Sequence, residues 1–443
     1  MFARKVSFGI SLVCAFIMAC GSAIADDAEP PPVTLPLESA ILFALNKNPD
    51  ILISIEHKAQ AGADTETARS GYYPQADIKI RGGREYNNPS LASAYVPFGQ
   101  QTNSVAAEAV INQMLFDGFV TDEEVERRKA LETSADLQAK LAVEKILNDT
   151  IGSYVDIWHY QQADEETRHF VDAVKKIGDR VQLANQAGAE SNTKAEYVQS
   201  RIAAAESERD GNEANLTNAI SDLEAVTGTL PPFMAKRPDQ FDPTVKQMDN
   251  WFEAADQDNL NLKLNKSDHE ALAHQLESQR GTYWPSLSLE VEGFVNNDVG
   301  GSIGRVEGAS AMLVLDYKLF DGFARDAATS KIHSEVNENV YQQEKLQRDV
   351  RKAIRQAYNQ ILATKRDLAS TDKEIIASTN LQKLYDEQMK LGEGDVIDTM
   401  EGQQRLHEAR MRGIKLQADL VMNSYALLRQ IGSLKKEEFC ASC

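Results

Sequence analysis

Cysteine, proline, aromatic residues and basic charge are all in short supply here, and each shortage excludes something. Only 4 of the 443 residues are cysteine, too few for a disulfide-stapled scaffold. Aromatics make up 7% and charged residues 26%, a composition short of the large apolar side chains one deep core would use and suited to long, thin helical architecture. Lys and Arg number 47 against 67 Asp and Glu, a formal charge of −20, which repels nucleic acid phosphates and leaves no nucleic acid partner expected. Beyond the N-terminal segment no run of eighteen consecutive apolar residues occurs, so no transmembrane helix is expected there.

Catalytic and cofactor chemistry is missing in the same way. The sequence has no H-E-x-x-H, no phosphate loop and no cluster of Cys and His, and His269 and His274 are five apart, off a common helical face. Gly300 to Gly304 fits G-x-S-x-G, but in a glycine-rich loop between two expected strands instead of the strand-to-helix turn that motif needs. No enzyme, cofactor or metal is therefore expected.

What is present begins with a leader. Arg4 and Lys5, the apolar run Val6 to Ala19 and Ala23-Ile24-Ala25 ahead of Asp26 read as a secretory signal peptide over residues 1–25. A rival reading takes Ile17 to Gly21 as a lipoprotein box with lipid on Cys20, although Met18 fits it poorly. Cleavage after Ala25 takes the charge to −22 and leaves Cys440 and Cys443, a terminal Cys-x-x-Cys with no second pair or nearby His to hold metal. In an oxidising compartment they form an oxidisable pair.

Proline then divides the chain, because it breaks helix interiors and central strands. None occurs between Pro97 and Pro231, or after Pro285. The two proline-free tracts repeat each other: Leu115-Phe116-Asp117-Gly118-Phe119 recurs as Leu319 to Phe323 at an offset of 204, and Gly188 with Gly392 and Gly228 with Gly432 share it. Ser70 to Pro74 echoes Gly281 to Pro285 at 211, so the chain is an internal duplication. The expected organisation is a first repeat over 26–228, a linker over 229–250, a second repeat over 251–432 and a tail over 433–443.

Each repeat should hold a helix (37–70; 251–281), two alternating strands, then a long helix (119–187; 323–391), a glycine tip and a returning helix (192–227; 396–431). The tips carry Gly188 in one repeat, Gly392 and Gly394 in the other. About 69 residues at 1.5 Å rise give a helix near 100 Å. In the second strand pair Leu287, Leu289, Val291, Leu313 and Leu315 alternate with Glu290, Glu292 and Asp316, so one face suits lipid and the charged face a lumen. Four such strands are long enough to cross a bilayer but too few to close a barrel, whereas three chains pooling strands would reach twelve. Tyr72, Tyr73, Phe116, Tyr283, Trp284 and Phe320 gather at the strand ends, as an interfacial belt or as packing between helices and barrel.

With this duplicated set in view, the mature chain resembles the outer membrane efflux protein family, the TolC-like exit ducts. The resemblance implies a mainly α fold with a transmembrane β-barrel: a homotrimer with a 12-stranded barrel in the lipid of the cell outer membrane of a Gram-negative bacterium, a helical barrel reaching into the periplasm and an equatorial belt from linker and termini. It implies work with a periplasmic adaptor and an inner-membrane pump. The Leu-Phe-Asp-Gly-Phe form and the poor lipid box favour type I protein export with an ABC transporter, the alternatives being a drug efflux duct or, in another class, a soluble periplasmic coiled-coil scaffold. The resemblance also places an inward ring of acids just past the second tip, at Asp398 and Glu401, an i, i+3 pair on one helical face. Gly394 and Met389 stand where the family prototype has Arg and Tyr locking residues. Lys194 of the first tip stands in place of an acid, and is the candidate latch cation for Asp395 or Asp398.

Overall fold

The computed structural model describes residues 33–87, 100–228, 233–239, 248–300 and 303–434. The leader with Cys20, most of the linker, and the tail from residue 435 with Cys440 and Cys443 lie outside them. The elements in order are β1 (Val33–Leu35), α1 (Leu37–Lys47), α2 (Pro49–Arg69), β2 (Gln75–Asn87), β3 (Gln100–Phe116), α3 (Val120–Gln186) and α4 (Asn192–Thr227). Then follow β4 (Phe233–Ala235), α5 (Met248–Asp258), α6 (Leu260–Gly281), β5 (Ser286–Asn297), β6 (Arg305–Asp316), α7 (Ala324–Leu391) and α8 (Val396–Ile431).

The single helices expected over 37–70 and 251–281 are each two, and the reason is an asparagine. Asn48 is extended (φ −68°, ψ 124°) and its side chain accepts from the Asp50 N–H at 2.9 Å, with Pro49 ending α1 by steric conflict. Asn259 makes the same break without proline (φ −62°, ψ 120°), capping the N–H groups of Asn261 and Leu262. Each amide then donates to the last turn of the returning helix: Asn48 to the Val226 carbonyl at 2.9 Å, Asn259 to that of Gln430 at 3.0 Å. One buried asparagine per repeat thus caps one helix and pins it to another.

The Leu-Phe-Asp-Gly-Phe box converts strand into helix. Gly118 and Phe119 (φ 74° and 68°) and Gly322 and Phe323 (φ 71° and 68°) are consecutive left-handed residues, which reverse the chain before the long helix starts. Asp117 accepts from the Thr121 N–H at 2.8 Å, and Asp321 from the Ala324 and Arg325 N–H groups at 3.2 Å, satisfying donors the helix start would leave open. Phe116 meets Phe119 edge-on at 5.6 Å, and Phe320 meets Phe323 at 5.5 Å.

The four long strands form one antiparallel sheet in the order β2-β3-β5-β6, leaving β2 and β6 as edges. Ile78 stands opposite Ala109 and Leu289 opposite Leu313, the same pairing at the two sequence offsets. A bulge between Met114 and Phe116 ends the β3–β5 register. Below the sheet, α3 and α7, each about 100 Å long, fold back as the shorter helices α4 and α8 of about 54 Å, making two hairpins. Apolar burial runs along them in separate clusters, around Tyr154 and Trp158, around Ile354 and Tyr358, and around Val174 and Val198. A thin helical wall is built this way, since each cluster needs only the few helices crossing that level.

At one level the wall is belted. β1 pairs in parallel with β4, joining the first described residues to the linker region. Fully buried Tyr154 donates from its hydroxyl to the Leu35 carbonyl at 2.6 Å and accepts from the Lys236 N–H at 2.9 Å. Gln161 bonds both the Phe233 carbonyl and the Ala235 N–H.

Candidate gate and duct face

The hairpin tips are set by glycine. Gly188 (φ 73°) and Gly392 (φ 77°) are left-handed where α3 and α7 end, the usual helix-closing role of that residue. A Cβ on Gly394 would lie 2.8 Å from the Met389 backbone nitrogen, so the position of the prototype's arginine lock has no room for a side chain here.

The next residue carries the contact between tips. Asp395 caps α8 by accepting from the Ile397 N–H at 2.9 Å, and its Oδ1 lies 3.2 Å from Lys194 Nζ at the start of α4. Lys194 also reaches Glu190 at 3.5 Å. Of the two acids expected within reach of Lys194, the structure gives it Asp395. The bond from Ile397 and then the ammonium of Lys194 hold Asp395 below the usual carboxylate range, while Asp395 holds Lys194 above its ordinary value.

One turn further along, Asp398 and Glu401 lie exposed on one side of α8, with Val396, Thr399 and Met400 buried behind them. Glu401 is not bare: Arg405 approaches it at 3.4 Å, the i+4 cation on the same face. The arrangement offers one free and one half-neutralised carboxylate per chain.

Above the tips sits a buried charge cluster that sequence reasoning missed. His407 of α8 is 2% exposed, stacks on Phe170 of α3 at 4.1 Å, and has Nε2 3.0 Å from Glu208 of α4 and Nδ1 3.7 Å from Glu166 of α3. Arg410 lies 3.3 Å from Glu166. Burial opposes charge on the ring, yet the two carboxylates outweigh it and push His407 up to about 9. The imidazolium therefore ties three helices of two hairpins together. No motif marks it, because its partners come from the other repeat.

In the sheet, the registers put Glu290, Glu292 and Asp316 on one face with Asp77, Lys79 and Glu108. The opposite face carries Leu287, Leu289, Val291, Leu313 and Leu315, extended across β2 and β3 by Ile78, Ile80 and Ile111. Ile78 is 78% exposed and Leu313 68%, so this continuous apolar face has no protein cover within the chain. Of the strand-end aromatics, Tyr72 and Tyr283 point their hydroxyls to Asp122 at 2.7 Å and Asp326 at 2.6 Å, and Tyr73, Trp284 and Phe320 are exposed. Gly300 and Gly304 lie in the β5–β6 loop, where Gly304 N–H donates to Asp298, and Ser302 of that motif lies outside the described residues.

Among the described residues no helix is long and apolar enough to cross a membrane. Comparison with known proteins agrees with a strand-built span. Residues 251–433 match the family described as Outer membrane efflux protein. The outer membrane efflux protein BepC of Brucella suis is 20% identical over 96% of this chain and 91% of its own length, and protein CyaE of Bordetella pertussis is 21% identical over 91% and 86%. The solved outer membrane channel CmeC of Campylobacter jejuni shares the fold at a TM-score of 0.79 with 12% identity, over 90% of this chain and 86% of that one. A duplicated strand-and-hairpin chain with an uncovered apolar sheet face thus carries the outer membrane efflux protein family's match over its second repeat, is similar end to end to relatives at 20–21% identity, and has its place in the outer membrane of a Gram-negative cell.

Proposed function

We propose that three copies of this chain form the exit duct of a type I secretion system, carrying protein across the outer membrane with a periplasmic adaptor and an inner-membrane ABC transporter. The observation carrying the duct is the four-stranded sheet, apolar on one whole face and open at both edges, continuing directly into the helices α3 and α7 of about 100 Å. Twelve strands from three chains would remove the edges that lipid does not tolerate. The charged strand face then lines the lumen, and Asp398 and Glu401 ring the periplasmic entrance, with Lys194 and Asp395 latching adjacent tips. The two repeats, 26–228 and 251–432, each supply half of a protomer's share of the wall. The soluble scaffold reading leaves the uncovered apolar face without a purpose.

Type I export is favoured by the Leu-Phe-Asp-Gly-Phe form of the box and by a leader that reads better as cleaved after Ala25 than as lipidated at Cys20. Drug efflux is the second reading, supported by the family description and by the name of the BepC relative. Affinity purification of the chain from crosslinked cells separates the two. An ABC transporter with its adaptor should be recovered; a proton-driven pump in its place would transfer the duct to drug efflux.

A further inference from the structure

Helix α8 is tied to the first hairpin unevenly along its length. From Val396 to Leu406 its contact with α3 and α4 is apolar, with buried Val396 and Met400 packed into the cluster around Val174 and Val198. Among the described residues no hydrogen bond or ion pair joins a side chain of that stretch to another helix; Gln404 and Arg405 bond only within α8. The exposed contact of Asp395 with Lys194 closes its lower end. From residue 407 upward the ties become directional. His407 is held between Glu208 and Glu166, Arg410 reaches Glu166, Met411 Sδ lies 3.9 Å from the Thr167 hydroxyl, and Arg429 lies 2.9 Å from buried Glu144.

Helix α7 gives the lower stretch no firmer hold. A Cβ on Gly402 would lie 2.8 Å from the side chains of Gln382 and Tyr385, so the two helices touch there without a side chain from α8. The buried Gln382 Oε1 has no hydrogen-bond partner. A glycine inside a helix also weakens it locally, and this one lies just below His407.

We infer that His407 is the fulcrum of the periplasmic gate: opening swings the α8 stretch 395–406, which carries Asp398 and Glu401, and leaves α8 from His407 upward fixed to α3 and α4. The fulcrum presupposes the entrance ring proposed above and says where its moving part ends.

Two kinds of contact make this division. Apolar surfaces are non-directional and let packed helices slide. A buried charge held by hydrogen bonds has no such tolerance, since displacement leaves it without water or partner. The hairpin fold does not itself need the pin. At the offset of 204 His407 becomes Ala203, Glu166 becomes Ser370 and Glu208 becomes Arg412, so the same unit stands in the first repeat without it. The pin belongs to the helix that carries the acids.

The test places reversible links below and above His407 in the full chain with Cys440→Ser and Cys443→Ser. Lys194→Cys with Asp395→Cys gives the lower link, and Thr167→Cys with Met411→Cys the upper. Each is closed by a short reducible bis-thiosulfonate linker and recorded in planar bilayers before and after reduction, which controls for folding. With Asp398→Asn and Glu401→Gln present to open the entrance, the lower link should return conductance to the resting level and the upper link should leave it unchanged. Adding His407→Gln should raise the open conductance further, and the upper link should then remove that increment, a sensitivity that a merely structural His407 would not create. An upper link that already closes the channel with His407 intact, or one still without effect in His407→Gln, overturns the fulcrum. A lower link without effect, in channels whose cation selectivity still falls when the acids are neutralised, overturns the swing and leaves the acid ring standing. Unchanged conductance and selectivity in Asp398→Asn with Glu401→Gln overturns both.

Discussion

Single residues decide the behaviour of the tip region. Asp395 has two tasks, capping α8 and holding Lys194, and substitution can separate them. Lys194→Ala should raise the open fraction of the channel while leaving thermal stability within about 1 kcal/mol, since an exposed ion pair contributes little. Asp395→Ala should in addition lower stability by about 1 kcal/mol through the lost cap, which Asp395→Asn should largely keep. Circular dichroism melts set beside bilayer recordings check this, and equal stability of the Ala and Asn variants would contradict the capping role. Because Arg405 already offsets Glu401, Asp398→Asn should reduce cation selectivity more than Glu401→Gln does. The reverse order in reversal-potential measurements would remove Asp398 from the ring.

His407 gives the residue scale a pH signature. Its folded value is raised from 6.5 to about 9. The stabilisation is thus fully present below about 6.5 and disappears as pH rises through about 9, because the unfolded ring has by then lost its proton while the folded one must still give it up. The contribution is on the order of 3 kcal/mol. His407→Gln should lower the melting point at pH 6 and flatten its decline between pH 7 and 10. A variant retaining the wild-type slope would show that the decline comes from other groups.

Elements were legible where their punctuation is local. The returning helices, read at 192–227 and 396–431 from glycine tips and proline-free sequence, occupy those residues. Strand alternation around Leu289 and Glu290 was equally visible, as a period-2 pattern must be when the two faces meet different media. The break at Asn48 was readable from Pro49, whereas that at Asn259 has no proline, and its reason lies with Gln430 at the far end of the repeat. Arg405 was readable too, one turn from Glu401. The pairing of β1 with β4 and the cluster around His407 were not, because their partners are some two hundred residues apart and carry no motif. At this scale the sheet predicts its own orientation. Leu289→Lys should cost about 2–4 kcal/mol if the residue meets lipid near midplane, and Glu290→Leu much less. Normal insertion of Leu289→Lys together with failure of Glu290→Leu would invert the faces.

The whole molecule is organised by duplication. Two copies of one strand-and-hairpin unit meet at an internal seam, and the surfaces that make this seam recur uncovered at the outer edges. A closed ring follows if each edge meets the complementary edge of another copy, and the apolar sheet face then meets lipid on every side. Net charge of −20 is compatible with a cation-preferring passage, most acutely where three pairs of Asp398 and Glu401 would converge. Recording from a planar bilayer after adding protein extracted from outer membranes tests this account most directly. It predicts stepwise, cation-selective conductance that rises and loses selectivity when Asp398→Asn is combined with Glu401→Gln. A chain that stays a water-soluble monomer and yields no conductance steps would contradict it.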